Sequence, residues 1–159
     1  MGVHHVPFSD ADFRQYLGRG RADIEGSALG RTQGGEAKTC AGYPVYLAPG
    51  NAFDQDAVAN LGLLSAVDLA AGPALRYWRK TACDAQGRFV FRHVPAGNWI
   101  VITSIVYEIS APNFSNPTFA NLQATAQEGG LLMRSIEATN GPNDVVLTTD
   151  DTHIGNFQF

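Results

Sequence analysis

The sequence predicts an all-β fold: a seven-stranded Greek-key β-sandwich with a short N-terminal helix and a helical insertion near residues 51–75. Three observations predict it. Short apolar runs recur along the chain, each set off by turn residues, which is the pattern of antiparallel sheets. The run from Arg88 to Arg92 alternates with a period of two, held between Gly87 and Pro95. Residues 51–75 change character: alanine and leucine recur, and Val58, Leu61, Leu64 and Asp68 fall roughly along one helical stripe.

The elements follow in order. Ser9 precedes an apolar stretch as a helix cap would, with Asp12 at the third helical position and Phe8 set to staple against Phe13. Gly18 and Gly20 end that helix. A first strand covers 22–32, and Gln33 to Gly35 make a turn. A second strand covers 39–47, with Pro44 marking an edge or a bulge at its start. Asn51 or Asp54 caps the inserted helix, and Gly72 with Pro73 stops it. Residues 76–82 read as strand, carrying Tyr77 and Trp78. Asp84 and Gly87 form a tight turn, since Gly supplies the positive φ it needs. Phe89 and Phe91 then point inward. Pro95 to Asn98 make a second turn. The run 99–109 is apolar on both faces, so it lies either beneath a helix or beneath a partner chain. A loop with Phe114 and Phe119 follows, then weaker strands at 122–126, 131–139 and 144–148. The tail spaces Ile154, Phe157 and Phe159 along a polar segment.

The chain has 159 residues, 45% hydrophobic and 16% charged, the composition of one folded domain. We read it as an arm at 1–21, a sandwich domain at 22–150 and a tail at 151–159. A net charge of −4 argues against a nucleic-acid surface. No run reaches the roughly 20 apolar residues of a membrane span. The N-terminus has no basic-then-apolar leader pattern; if Met1 is the start, the standard secretory route is closed.

The segments VYLAPG at 45–50, CDAQGRFVFRHVPAGNWIVIT at 83–103 and NDVVLTTD at 143–150 resemble the carboxypeptidase regulatory-like domain. The hallmark D-x-x-G-x-F-x-F, then V-P-A-G, falls on Asp84, Gly87, Phe89, Phe91, Val94, Pro95, Ala96 and Gly97. The resemblance covers roughly residues 22–150, interrupted by the insertion. It implies a transthyretin-like (prealbumin-like) seven-stranded sandwich. It also implies roles as stalk, spacer, adhesion or accessory module, rarely catalysis; fold alone names no activity.

No catalytic constellation is legible. The spacing around Ser27 is wrong for a nucleophile elbow, and no phosphate-cradling glycine loop is present. Residues 54–62 begin like a calcium loop but lack its closing glutamate. His4 and His5 are adjacent near the terminus, and His93 reads as a strand-end residue. Asp144, Asp150 and Asp151 are a minor candidate for a cation site. Arg76, Arg79, Lys80, Arg88 and Arg92 could form a basic patch, but a solvated strand face is the simpler reading. No cofactor and no metal site are expected.

Cys40 and Cys83 lie near strand ends. A bridge between them, buried thiols, and bonds to other subunits all remain open. A bridge would imply work outside a reducing cytoplasm. The expected function is a non-enzymatic structural module docking on other subunits of a larger assembly, such as a virion surface, collar or tail. Phe8, Phe13, Phe114, Phe119, Ile154, Phe157 and Phe159 are the candidate docking anchors. A second copy of the chain is also a candidate partner. The alternative is a ligand- or glycan-binding module of the bacterial envelope, suggested by exposed aromatics among Tyr77, Trp78, Trp99, Phe114 and Phe119. The expected location is therefore a virion, the extracellular space or the cell envelope.

Overall fold

Two sheets face each other across an apolar interior in the computed structural model of the chain, which describes residues 6–31, 37–59, 61, 67–110, 125–148 and 157–158. The first sheet holds β1 (Ala22–Arg31), β2 (Ala37–Thr39), β5 (Arg88–Val94) and β8 (Gly141–Thr148). β1 is its centre: β2 and β5 pair with it antiparallel and β8 parallel. The second sheet runs β4 (Arg79–Ala82), β3 (Pro44–Pro49), β6 (Gly97–Ser110), β7 (Thr125–Ala138) and β9 (Phe157–Gln158). Two α-helices, α1 (Ala52–Ala59) and α2 (Val67–Ala71), and two 3-10 helices, Asp10–Tyr16 and Gly72–Tyr77, complete the described elements.

The all-β sandwich is therefore present, with eight strands of three residues or more among the described residues rather than seven, and a two-residue ninth. The strands differ from expectation at two places: those expected apart at 122–126 and 131–139 are joined in the one long β7, whose pairing with β6 runs from Thr125 to Ala138, and 39–47, expected as one strand, is divided. The chain leaves the first sheet after Thr39 and enters the second at Pro44. Between them lies a turn closed by the Tyr43 amide donating to the Cys40 carbonyl at 2.8 Å, with Gly42 at φ +88°. Pro44 stands at the first position of β3, where a missing donor is tolerated. Its carbonyl accepts from Thr103 Oγ1 at 2.9 Å. The strand expected at 76–82 starts late, because the insertion stays helical through Tyr77. Gly72 and Pro73 stop the α-helix as expected, since α2 ends at Ala71, but they also open the 3-10 helix, with Gly72 at φ +54°.

β6 explains the layering. Trp99, Val101 and Ile105 face the first sheet and pack with Ile24, Leu47, Phe89, Phe91 and Leu147. Ile100 and Ile102 face the other way and meet Val58, Leu61, Val67 and Trp78 of the insertion. Of the two covers open to it, the strand has the helical one. Each such side chain contributes about 1.5–3 kcal/mol on full burial. The N-terminal arm adds a third cluster: Phe13 is fully buried against Phe53, Ala74 and Tyr77. Phe8 and Phe13 meet with ring centroids 5.3 Å apart, as the staple requires. Ser9 makes no side-chain cap; only its carbonyl takes part, accepting from the Asp12 amide at 3.1 Å.

Cys40 and Cys83 form a disulfide, with Cα atoms 5.7 Å apart. It ties the passage from β2 to β3 to the passage from β4 to β5, so these two of the chain's crossings between sheets are pinned together. The bridge closes a separation of 43 residues. We expect the double substitution Cys40→Ser, Cys83→Ser to lower unfolding free energy by about 4 kcal/mol. Urea unfolding under non-reducing conditions measures it; an unchanged midpoint would refute the assignment of the bridge as a stabilising element.

Candidate functional site

The outer faces of the two sheets differ. The second sheet is covered by the insertion. On the first, Glu25, Arg88, Arg92, Asp144 and Val146 are exposed and Val90 is half-buried. The one described helix that joins the cluster between the sheets, through Tyr16, enters from the interior side, and these exposed side chains leave the outer face of the first sheet open. The register sets the pattern on that face. Ser27 sits opposite Arg88 and Val146, and Glu25 opposite Val90 and Asp144. Odd positions of β1 point outward, because Ala22, Ile24 and Ala28 are buried.

One end of the face is fixed by a bulge. Between Ala22 and Ile24 the β1–β5 register shifts, so Asp23 stands against both Arg92 and His93. His93 adopts φ +58°, a conformation costly for a residue with a Cβ. Asp23 holds it there: Oδ1 accepts the His93 amide at 3.1 Å, and Oδ2 lies 3.4 Å from Arg92 Nη1. The His93 carbonyl accepts from the Gly20 amide at 2.9 Å. His93 therefore serves the backbone, and Arg92 is committed to Asp23.

The other end is fixed by the turn that joins β4 to β5. Asp84 Oδ1 accepts the amides of Gln86 and Arg88, each at 2.9 Å, and Gly87 takes φ +79° as the turn demands. Between turn and bulge lies a cleft of about 320 Å³, lined by Glu25, Thr81, Asp84, Arg88, Val90 and Arg92 among others. The side chains of Glu25 and Arg88 make no hydrogen bond or ion pair within the described residues. The cleft thus presents a carboxylate that can only accept and a guanidinium that can only donate, with a hydroxyl from Thr81. No cluster of metal-ligating side chains occurs among the described residues.

The residues singled out from sequence fall in different places. Trp99 is fully buried, its Nε1 donating to Pro95 O at 2.9 Å. Tyr77 and Trp78 are buried too, which removes all three as stacking platforms. Phe13 has no exposed surface and Phe8 is half-buried in the same cluster. The backbone of Phe157 pairs with Gly129. Phe114, Phe119, Ile154 and Phe159 lie outside the described residues, as do His4, His5, Asp150 and Asp151. The basic residues are dispersed. Arg76 bonds Asp10, Arg79 donates to the carbonyls of Tyr16 and Gly18, and Lys80 lies over the Tyr46 ring. Only Arg88 and Arg92 reach the cleft.

Asp54 is the clearest departure. Asn51 is the cap, its Oδ1 accepting the Asp54 amide at 2.9 Å. The Asp54 carboxylate is instead fully buried under the insertion. Oδ1 accepts from Trp78 Nε1 at 3.0 Å, while Oδ2 has no partner among the described residues. Burial pushes its pKa up to about 7, against the lowering effect of the Trp78 hydrogen bond.

The fold has a counterpart among solved structures. The crystal structure of a "putative carbohydrate binding protein" from Pseudomonas aeruginosa matches with a TM-score of 0.69 and 20% identity, over 89% of this chain and 97% of that one. At this identity the likeness is one of fold. Neither a family model nor a curated protein matches the chain.

The buried carboxyl gives a pH test. An Asp with a raised native pKa holds its proton when folded over a window in which the unfolded chain has released it. Its contribution to stability is full below the ordinary value of 3.8 and declines as pH rises towards 7. The loss amounts to roughly 4 kcal/mol across that window. Asp54→Asn should flatten the profile between those limits. Denaturant midpoints measured from pH 4 to 8 on both proteins check it; parallel profiles would show that Asp54 titrates normally.

Proposed function

We propose that the chain is a non-catalytic carbohydrate-binding module of the extracellular space or cell envelope, and that the open face of its first sheet carries the ligand. The observation that carries this reading is the cleft between the Asp84 turn and the Asp23 bulge, where charged and hydroxyl side chains stand over a partly apolar floor. Its volume of about 320 Å³ suits a ligand of one or two sugar rings, at the small end of ligand sites. Its lining offers hydrogen-bond donors and acceptors, which hydroxyl-rich ligands need. The description of the Pseudomonas aeruginosa protein as carbohydrate-binding supports the same choice. The Cys40–Cys83 bridge supports an oxidising compartment.

Stacking on Tyr77, Trp78 or Trp99 forms no part of the proposal, since those rings are interior. Docking through the N-terminal arm loses its motivation too, because Phe13 and Phe8 pack on the chain's own insertion. The proposal includes kinship with carboxypeptidase regulatory-like domains. Its support is that Asp84 and Gly87 form the turn, and Phe89 and Phe91 fill the core, in the roles that motif implies.

Binding through a small cleft whose one aromatic lining residue, Phe89, is buried in the core is weak for a single site. We therefore expect retention of the full chain on a multivalent glycan panel, with affinities for single sugars in the rough range of millimolar. The panel should be run with the oxidised chain. No retention on any glycan would overturn the proposal.

A further inference from the structure

We infer that the cleft selects an uncharged or amine-bearing sugar ring over an acidic one, and that Glu25 and Arg88 grip that ring together. The inference rests on the carbohydrate reading and sharpens it. Glu25 and Arg88 occupy diagonal positions on neighbouring strands, since Glu25 faces Val90 and Arg88 faces Ser27. Diagonal neighbours across an antiparallel pair stand about 7 Å apart. The two opposite charges do not close on each other. The half-buried Val90 lies between them at the floor.

A carboxylate accepts hydrogen bonds and a guanidinium donates them, whereas each sugar hydroxyl does both. Two adjacent ring hydroxyls can therefore donate to Glu25 and accept from Arg88 at the same time. Both contacts are charge-assisted, the stronger kind. The Thr81 hydroxyl lines the same cleft and can add a further contact.

The charge around the pair sets the selectivity. Arg92 is engaged by Asp23. Asp144 stands directly opposite Glu25 on the far side of β1. Asp84 closes the other end of the cleft. Arg88 is thus the one cation of the lining not engaged by a carboxylate among the described residues, and it shares the cleft with Glu25 and Asp84. A carboxylate or sulfate on the sugar would meet Arg88 at the cost of repulsion from Glu25 and Asp84 in the lining, with Asp144 beyond Glu25 adding to it. An amine would be drawn towards Glu25 and Asp144.

The test titrates the full oxidised chain with glucose, glucosamine and glucuronate, following backbone amide shifts by NMR. We expect shifts centred on Glu25, Arg88 and Val90, with glucosamine bound best and glucuronate worst. Lowering ionic strength should widen that gap. Glu25→Gln should weaken glucosamine roughly tenfold and erase its advantage over glucose. Arg88→Gln should weaken every sugar by a similar rough factor. Both side chains are exposed and without partners, and thermal unfolding of each variant confirms that the fold is kept. Glucuronate binding more tightly than glucose, shifts confined to another surface, or affinities unmoved by either substitution would overturn the inference while leaving the carbohydrate reading in place. No shift with these sugars, together with no retention on the glycan panel, would overturn both.

Discussion

β6 is apolar on both faces, and the architecture is a response to that constraint. A strand with Trp99, Val101 and Ile105 on one side and Ile100 and Ile102 on the other needs two covers. The first sheet provides one. The insertion between β3 and β4 provides the other, and the N-terminal arm in turn packs on the insertion through Phe8 and Phe13. Once those layers are spent on the second sheet, the outer face of the first is left open. The position of the candidate site follows from where the cover is missing.

What could be read from sequence divides along the line between local and non-local causes. The Asp84–Gly87 turn, the inward Phe89 and Phe91, and the two-faced character of 99–109 are local, and they are as expected. The split of 39–47 was not legible. Alternation cannot say that a chain changes sheets, and only Gly42 within the run hints at a turn. Asp54 was misread for a related reason. An acidic residue at a helix start signals a cap or a dipole partner. Only the tertiary contact with Trp78, 24 positions away, makes it a buried hydrogen-bond acceptor.

The site shows the same division. Aromatic residues were the natural sequence signal for a sugar site, and Tyr77, Trp78 and Trp99 turned out to serve the core and the cover. Glu25 carries no local signal at all. It becomes interesting because the register sets it diagonal to Arg88 and because neither side chain finds a partner. The Asp23 bulge is partly legible in hindsight, since a β-bulge next to V-P-A-G needs an extra residue and an anchor for its amide.

The parallel pairing of β1 with β8 has a mechanical consequence. Their register runs unbroken from Ala22 with Gly141 to Leu29 with Thr148. A pull on the chain before Ala22, opposed by a pull after Thr148, drives these neighbouring strands in opposite directions along their length. The ladder between them is then loaded in shear, all its hydrogen bonds strained together, rather than peeled apart one by one. The disulfide holds the far pole of the same sheet closed while that happens. The candidate site on β1 therefore rests on a part of the domain well arranged to keep its shape under tension.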